Sequence, residues 1–135
     1  MSRFVADTSI WSPFLRQSSK LGDPFRNYLR DGIVKREVQM LGIIRQECLS
    51  GIREKLQYSK LTEILDGFPD DLAVGEDHLR ASEFFNEYRR NGVQGRAADF
   101  LICAQSVRLD LPILTLDKDF VDYAKHIPVS LVVSI

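Results

Sequence analysis

Short apolar runs alternate with longer stretches of helical periodicity along this chain. Phe4-Val5-Ala6 runs into Asp7 and predicts a first strand over residues 4–7. Ser12-Pro13 reads as an N-cap followed by proline at the first helical position, so a short helix is expected from Pro13. Asp23-Pro24 repeats that signal and Gly32 supplies a stop, which predicts a second helix over 24–31. Residues 37–41 alternate around Val38 as a strand would. A helix over 43–50 breaks near Gly51, and 54–65 continues with Leu56, Leu61, Ile64 and Leu65 as its apolar face. Residues 72–74 form a short strand candidate.

The second half has the stronger periodicity. Residues 77–90 are amphipathic through Leu79, Ala81, Phe84, Phe85 and Tyr88, ending at Asn91-Gly92. A loop over 93–96 leads to a helix over 97–109, which is apolar on Leu101, Ile102, Ala104, Val107 and Leu109 and so is expected to lie between layers. A strand over 112–116, a short helix over 120–126 and a last strand over 129–133 follow. Strands alternating with helices imply an α/β domain with a mostly parallel sheet. With no repeat, low-complexity tract or linker, residues 1–135 are expected to form one domain.

Four acids stand at telling places in this pattern. Asp7 and Asp117 each follow an apolar run, Phe4-Val5-Ala6 and Ile113-Leu114-Thr115-Leu116. They are placed at the carboxyl ends of strands, where open α/β sheets bind ligands. Glu47 and Asp99 lie inside apolar helical patterns, where a carboxylate is costly without a partner. A hard divalent cation, Mg²⁺ or Mn²⁺, is a suitable partner for such a set. Each acid also has a simpler reading. Asp99 would complement the helix dipole, Glu47 would be an exposed helical glutamate, and Asp119 would cap a helix starting at Phe120 as readily as it would touch a metal. Thr8, Ser9 and Thr115 are hydroxyls placed to orient a carboxylate or a metal-bound water, or are ordinary turn and strand residues.

Composition alters this picture little. The net charge of −1 comes from 18 basic and 19 acidic residues. With Asp7, Glu47, Asp99, Asp117 and Asp119 set aside, 18 basic residues face 14 acidic ones, and arginines outnumber lysines twelve to six. An acidic pocket ringed by arginine suits a phosphodiester. Arg89, Arg90 and Arg96 flank the loop before Asp99 and are read first as solvated helix-end residues, with phosphate contact as the alternative. His78 and His126 lie in no ligand motif and are expected on helix surfaces. Trp11 and the phenylalanines fit a core. Cys48 and Cys103 are too far apart for a metal motif and read as buried thiols of a cytoplasmic protein. No apolar run nears the roughly 20 residues that span a bilayer, and Met1-Ser2-Arg3-Phe4 leads into a strand without a signal-peptide core.

Asp7-Thr8-Ser9-Ile10-Trp11 resembles the opening motif of PIN-domain ribonucleases, most closely VapC-type toxins. Gln46-Glu47-Cys48-Leu49-Ser50-Gly51 resembles their second motif, Ala98-Asp99-Phe100-Leu101-Ile102-Cys103-Ala104 their third, and Leu114-Thr115-Leu116-Asp117-Lys118-Asp119-Phe120 their last. The resemblance runs from residue 4 to about residue 133, essentially the whole chain. The resemblance implies a PIN-like α/β/α sandwich around a mostly parallel sheet. It implies Asp7, Glu47, Asp99 and Asp117 as the catalytic acids, with Asp119 accessory and Asp7 and Asp99 foremost as metal ligands. It further implies Mg²⁺- or Mn²⁺-dependent cleavage of RNA, a cognate antitoxin protein, a homodimer, and operator DNA reached only through the antitoxin. A weakly catalytic, FitB-like partner in a DNA-binding repressor is the alternative. Two other enzyme readings fit less well. Asp117-Lys118-Asp119-Phe120-Val121 matches a haloacid-dehalogenase motif, but only 14 residues follow it. A phosphoacceptor receiver needs paired acids near the N-terminus, where Asp7 stands alone.

Overall fold

The structure, a computed structural model, describes residues 3–92, 94–133 and 135. Met1 and Ser2 of the N-terminal run, Val93 of the loop read over 93–96, and Ser134 lie outside the described residues. The elements follow in the order β1 (Phe4–Ala6), α1 (Thr8–Leu15), α2 (Asp23–Val34), β2 (Val38–Leu41), α3 (Gly42–Leu49), α4 (Lys55–Leu65), β3 (Asp70–Asp71), α5 (Gly75–Arg90), α6 (Ala97–Leu109), β4 (Ile113–Leu114) and α7 (Lys118–Tyr123). The four strands form one sheet in the order β3-β2-β1-β4. Every pairing is parallel, with Val5 opposite both Gln39 and Ile113. Among the described residues, seven helices flank the sheet, the α/β/α arrangement expected from the sequence.

The strand order fixes where a site can form. From β1 the chain builds outward through β2 and β3, then returns to add β4 on the other side of β1. Connections leave β1 and β4 in opposite directions, so a crevice opens between their carboxyl ends, the place where open parallel sheets bind ligands.

The core is built on this sheet. Phe4, Val5 and Ala6 of β1 are buried, as are Trp11, Phe100, Phe120 and Tyr123. Tyr123 contacts Phe100, Phe120 and Tyr88 at ring-centre distances of 4.8, 5.2 and 4.9 Å. Helix α6 is the most buried of the helices, with Phe100, Ile102, Cys103 and Ala104 inside. It occupies 97–109, the span its periodicity predicts. Cys48 and Cys103 are free and buried, as expected. Among the described residues no helix is long and apolar enough to cross a membrane.

Several elements differ from the sequence reading. Helix α1 begins at Thr8, directly after β1, with Pro13 inside it and Asp7 at its N-cap. Starting there turns Ile10 and Trp11 into the core, and their burial outweighs the bond lost at the proline nitrogen. Helix α2 continues through Gly32 to Val34. That glycine allows close packing: a Cβ there would come within 2.6 Å of the Phe4 ring. Strand β3 is Asp70–Asp71, two residues before the predicted apolar run, whose Leu72 and Val74 are exposed. Two acids are tolerated in a strand here because Arg45 pairs with Asp70 and Arg108 with Asp71. Leu56, Ile64 and Leu79, read as apolar-face residues of α4 and α5, are exposed. Helix α7 starts two residues early, at Lys118, because Asp117 caps it, and it ends at Tyr123 rather than 126. Residues 129–133 contribute one parallel bridge, Leu131 with Ile113, and no ladder. Strand β4 is only two residues long and offers little edge to pair with; Val129 is buried and Leu131 packs on the core, while Val133 is exposed.

Candidate functional site

The crevice between β1 and β4 opens into a cleft of about 450 Å³, lined by Asp7, Thr8, Ser9, Glu47, Asp99 and Asp117 together with Gln46, Ser50, Arg96 and Ile102. Each acid arrives on a different element. Asp7 lies at the β1–α1 junction, Glu47 in the last turns of α3, Asp99 in the first turn of α6, and Asp117 at the head of α7. All four acids predicted from the sequence therefore share one cleft.

Asp7 is buried and held by hydroxyls. Ser9 Oγ donates to its Oδ1 at 2.6 Å, and Thr115 Oγ1 to its Oδ2 at 2.8 Å. The same hydroxyls tie down the loop after β4, accepting from the Leu116 and Asp117 amides at 2.9 Å each. Ser9 and Thr115 thus join the two strand ends. Burial pushes the Asp7 carboxyl up to about 6; the Ser9 and Thr115 hydroxyls oppose this and the charge of Asp117 adds to it. A carboxylate so placed is short of positive charge.

Asp99 is also buried, and its two oxygens have different partners. Tyr123 donates its hydroxyl to Oδ2 at 2.7 Å, while Arg96 Nη2 lies 3.2 Å from Oδ1. Burial raises the Asp99 pKa, with Tyr123 and then Arg96 pulling against it. The carboxylate is not simply a helix-dipole charge, since both oxygens meet side chains from outside its own turn or at its start. Glu47 is half-buried; Thr8 Oγ1 donates to its Oε1 at 2.9 Å, and Arg96 Nη2 is 3.6 Å from Oε2.

Asp117 resolves the capping question. Its Oδ1 accepts from the Asp119 amide at 2.9 Å, making Asp117 the N-cap of α7 and placing Asp119 in the first turn. Among the described residues, the acids with carboxylate oxygens mutually within 4.8 Å are Asp99, Asp117 and Asp119. Asp7 and Glu47 line the same cleft outside that group. An all-carboxylate set at such spacing, with raised pKa values on Asp7 and Asp99, fits a hard divalent cation.

Two residues of the site were not singled out by the sequence reading in their actual roles. Arg96 reaches the acids rather than lying free at a helix end, and Tyr123 holds Asp99. Their spacings, three residues before Asp99 and four after Asp119, were visible but unspecific. Arg90 does pair outside the cleft, with Glu87. His78 is exposed and His126 packs against the Tyr88 ring, both away from the cleft. Burial, with the charge of Glu47, pushes the Cys48 thiol up to about 12, which leaves it inert.

Comparison with known proteins agrees with this arrangement. The sequence profile of the PIN domain matches residues 4–126. No curated protein sequence matches the chain. Among solved structures, the fold is similar to that in FitAcB from Neisseria gonorrhoeae, with a TM-score of 0.75 at 17% identity over 95% of each chain. It is similar also to VapBC2 from Rickettsia felis bound to a DNA fragment from its promoter, at 0.73 and 16% over 96% of each chain. DNA-bound VapBC from Salmonella typhimurium gives 0.74 and 14% over 98% of each chain.

Proposed function

This chain belongs to the PIN domain family, and from that premise we propose that it is a metal-dependent endoribonuclease, the toxin of a toxin–antitoxin pair. The observation that carries the reading is the carboxylate group Asp99, Asp117 and Asp119 at the switch point of a parallel sheet, flanked by buried Asp7. These residues would hold Mg²⁺ or Mn²⁺, with Glu47 lining the same cleft. A bound divalent ion supplies charge to the scissile phosphate and acidifies a coordinated water. The chain's part is to fix the acids. Ser9 and Thr115 orient Asp7, Tyr123 orients Asp99, Thr8 orients Glu47, and Asp117 is held by its own cap bond to α7. In-line attack on an RNA phosphodiester is the reaction these groups suit best.

The expected partners are RNA as substrate, an antitoxin protein, and operator DNA reached through that antitoxin. The similarity to VapBC and FitAcB supports a two-protein system. A second copy of the chain is expected as well, and the apolar groove between α5 and α6, lined by Ala81, Phe85, Ala98 and Leu101, is a surface suited to it.

The test is cleavage of total RNA by the purified, antitoxin-free chain with Mg²⁺, Mn²⁺ or EDTA, with Asp99→Asn as control. Discrete fragments that require both metal and Asp99 are expected. Absence of cleavage by folded wild type with either metal would move the reading to a non-catalytic partner in a DNA-binding repressor.

A further inference from the structure

Among the described residues, Arg45, Arg96 and Arg108 meet buried or half-buried carboxylates, in two different ways. Arg45 Nε lies 2.9 and 3.2 Å from the two oxygens of Asp70, and its side chain is 19% exposed. Arg108 Nε lies 2.9 and 3.1 Å from those of Asp77, and its side chain is 30% exposed. Both are short, forked contacts that lock strand β3 and helix α5 in place.

Arg96 is different. Its side chain is 66% exposed, and both of its contacts with the acids run through Nη2, at 3.2 Å from Asp99 and 3.6 Å from Glu47. Charge-assisted bonds of this type usually measure about 2.7–2.9 Å. The guanidinium is therefore held by one long hydrogen bond to Asp99 and by charge alone at Glu47, with no forked contact to either acid. Its base is firm by contrast. Arg96 is the N-cap residue of α6, and Gly95 before it packs so closely that a Cβ would meet the Phe100 ring at 2.6 Å. A fixed backbone with a loose, long, charged head is a side chain able to exchange partners.

We propose that Arg96 is the resident counter-cation of the metal-free cleft and becomes a substrate-positioning residue once a divalent ion takes its place. The inference rests on the nuclease reading above. An ion bound to Asp99 neutralises the charge that draws Arg96 inward, and two cations repel across so short a gap. The released guanidinium lies at the mouth of the same cleft, where a phosphodiester must enter. Its planar fork matches two phosphate oxygens. Arg96 thus grips the strand beside the scissile bond, and it does so only in the metal-loaded protein.

The two roles predict opposite effects of one substitution. In Arg96→Gln, Mn²⁺ binding measured calorimetrically without RNA becomes tighter, by about 3- to 10-fold, because no ion pair has to be displaced. Binding of a fluorescein-labelled single-stranded RNA in Ca²⁺, read by anisotropy, becomes weaker by about 5-fold or more. Arg96→Lys recovers the wild-type Mn²⁺ affinity but only part of the RNA affinity. If Arg96 merely braced the acids, its loss would weaken Mn²⁺ binding, and that result overturns the proposal while leaving the nuclease reading intact. Unchanged RNA affinity in Arg96→Gln also overturns it. A folded wild type that binds neither Mn²⁺ nor RNA overturns both.

Discussion

The hydroxyl of Tyr123 donates to Oδ2 of Asp99 across 2.7 Å, entirely inside the protein. Tyr123 closes the same helix whose head carries Asp117 and Asp119. One short element therefore contributes two of the three clustered acids and fixes the orientation of the third, leaving Oδ1 of Asp99 turned toward Arg96.

Tyr123→Phe removes that hydroxyl and keeps the ring among Phe100, Phe120 and Tyr88. Divalent-ion affinity is expected to fall by about 10-fold, with a loss of stability of only about 1 kcal/mol. Calorimetric Mn²⁺ titration beside urea denaturation separates the two effects. An unchanged affinity would mean that Asp99 keeps its orientation without the tyrosine.

Asp7→Asn should end metal-dependent cleavage and at the same time stabilise the metal-free protein near pH 8. The sign follows from the raised pKa. The folded state binds the Asp7 proton more tightly than the unfolded chain, so this group's contribution is fully present below 3.8 and is lost as pH rises through about 6. Ionised Asp7 then costs on the order of 3 kcal/mol at pH 8, and asparagine recovers about 1–3 kcal/mol of it. Denaturation in EDTA at pH 8 and pH 4 checks this; the gain should be seen at pH 8 and be absent at pH 4.

Metal loading is expected to release a proton when pH is below about 6, because the ion favours ionised Asp7. Apparent affinity for Mg²⁺ or Mn²⁺ should drop as pH falls from 7 to 5. Titrations in two buffers of different ionisation heat count the proton directly. Affinity flat across that range would exclude coupling between Asp7 and the ion.

Thr115→Val preserves shape but removes one bond to Asp7 and the acceptor for the Asp117 amide. A cost of about 1–3 kcal/mol is expected from the unsatisfied groups. The Asp7 titration should move further upward, since one of the hydroxyls that oppose its rise is gone. Side-chain carboxyl NMR of the variant and wild type reads both pKa values.

Gly32→Ala is expected to destabilise the fold by about 1–3 kcal/mol, since the added methyl would press on the Phe4 ring. On propensity alone the change in a helix would be favourable by about 1 kcal/mol, so a measured loss identifies packing as the deciding effect. Thermal denaturation suffices.

The convergence of the acids was legible in the sequence because two short apolar runs end at Asp7 and just before Asp117, and strand ends mark the binding edge of a parallel sheet. Helix α6 was legible because its apolar run is long and both its ends carry signals. The placement of β3 was not: its two aspartates read as loop residues until Arg45 and Arg108, distant in sequence, supply their partners. Nor was the start of α1, where the Ser12-Pro13 signal is locally correct but the core needs Ile10 and Trp11 in helix. The roles of Arg96 and Tyr123 depend on how the termini of α6 and α7 meet, a tertiary relationship that local pattern does not encode.

Ser9 and Thr115 lie 106 residues apart, yet both hold Asp7, so the first and last strands of the sheet must be side by side before the cleft exists. Such long-range closure is slow to form and comes late in folding. During synthesis, a chain whose segment past Leu109 is still inside the ribosome has Asp7, Glu47 and Asp99 but no β4 to complete their enclosure. The cleft therefore takes shape only once β4 has joined β1.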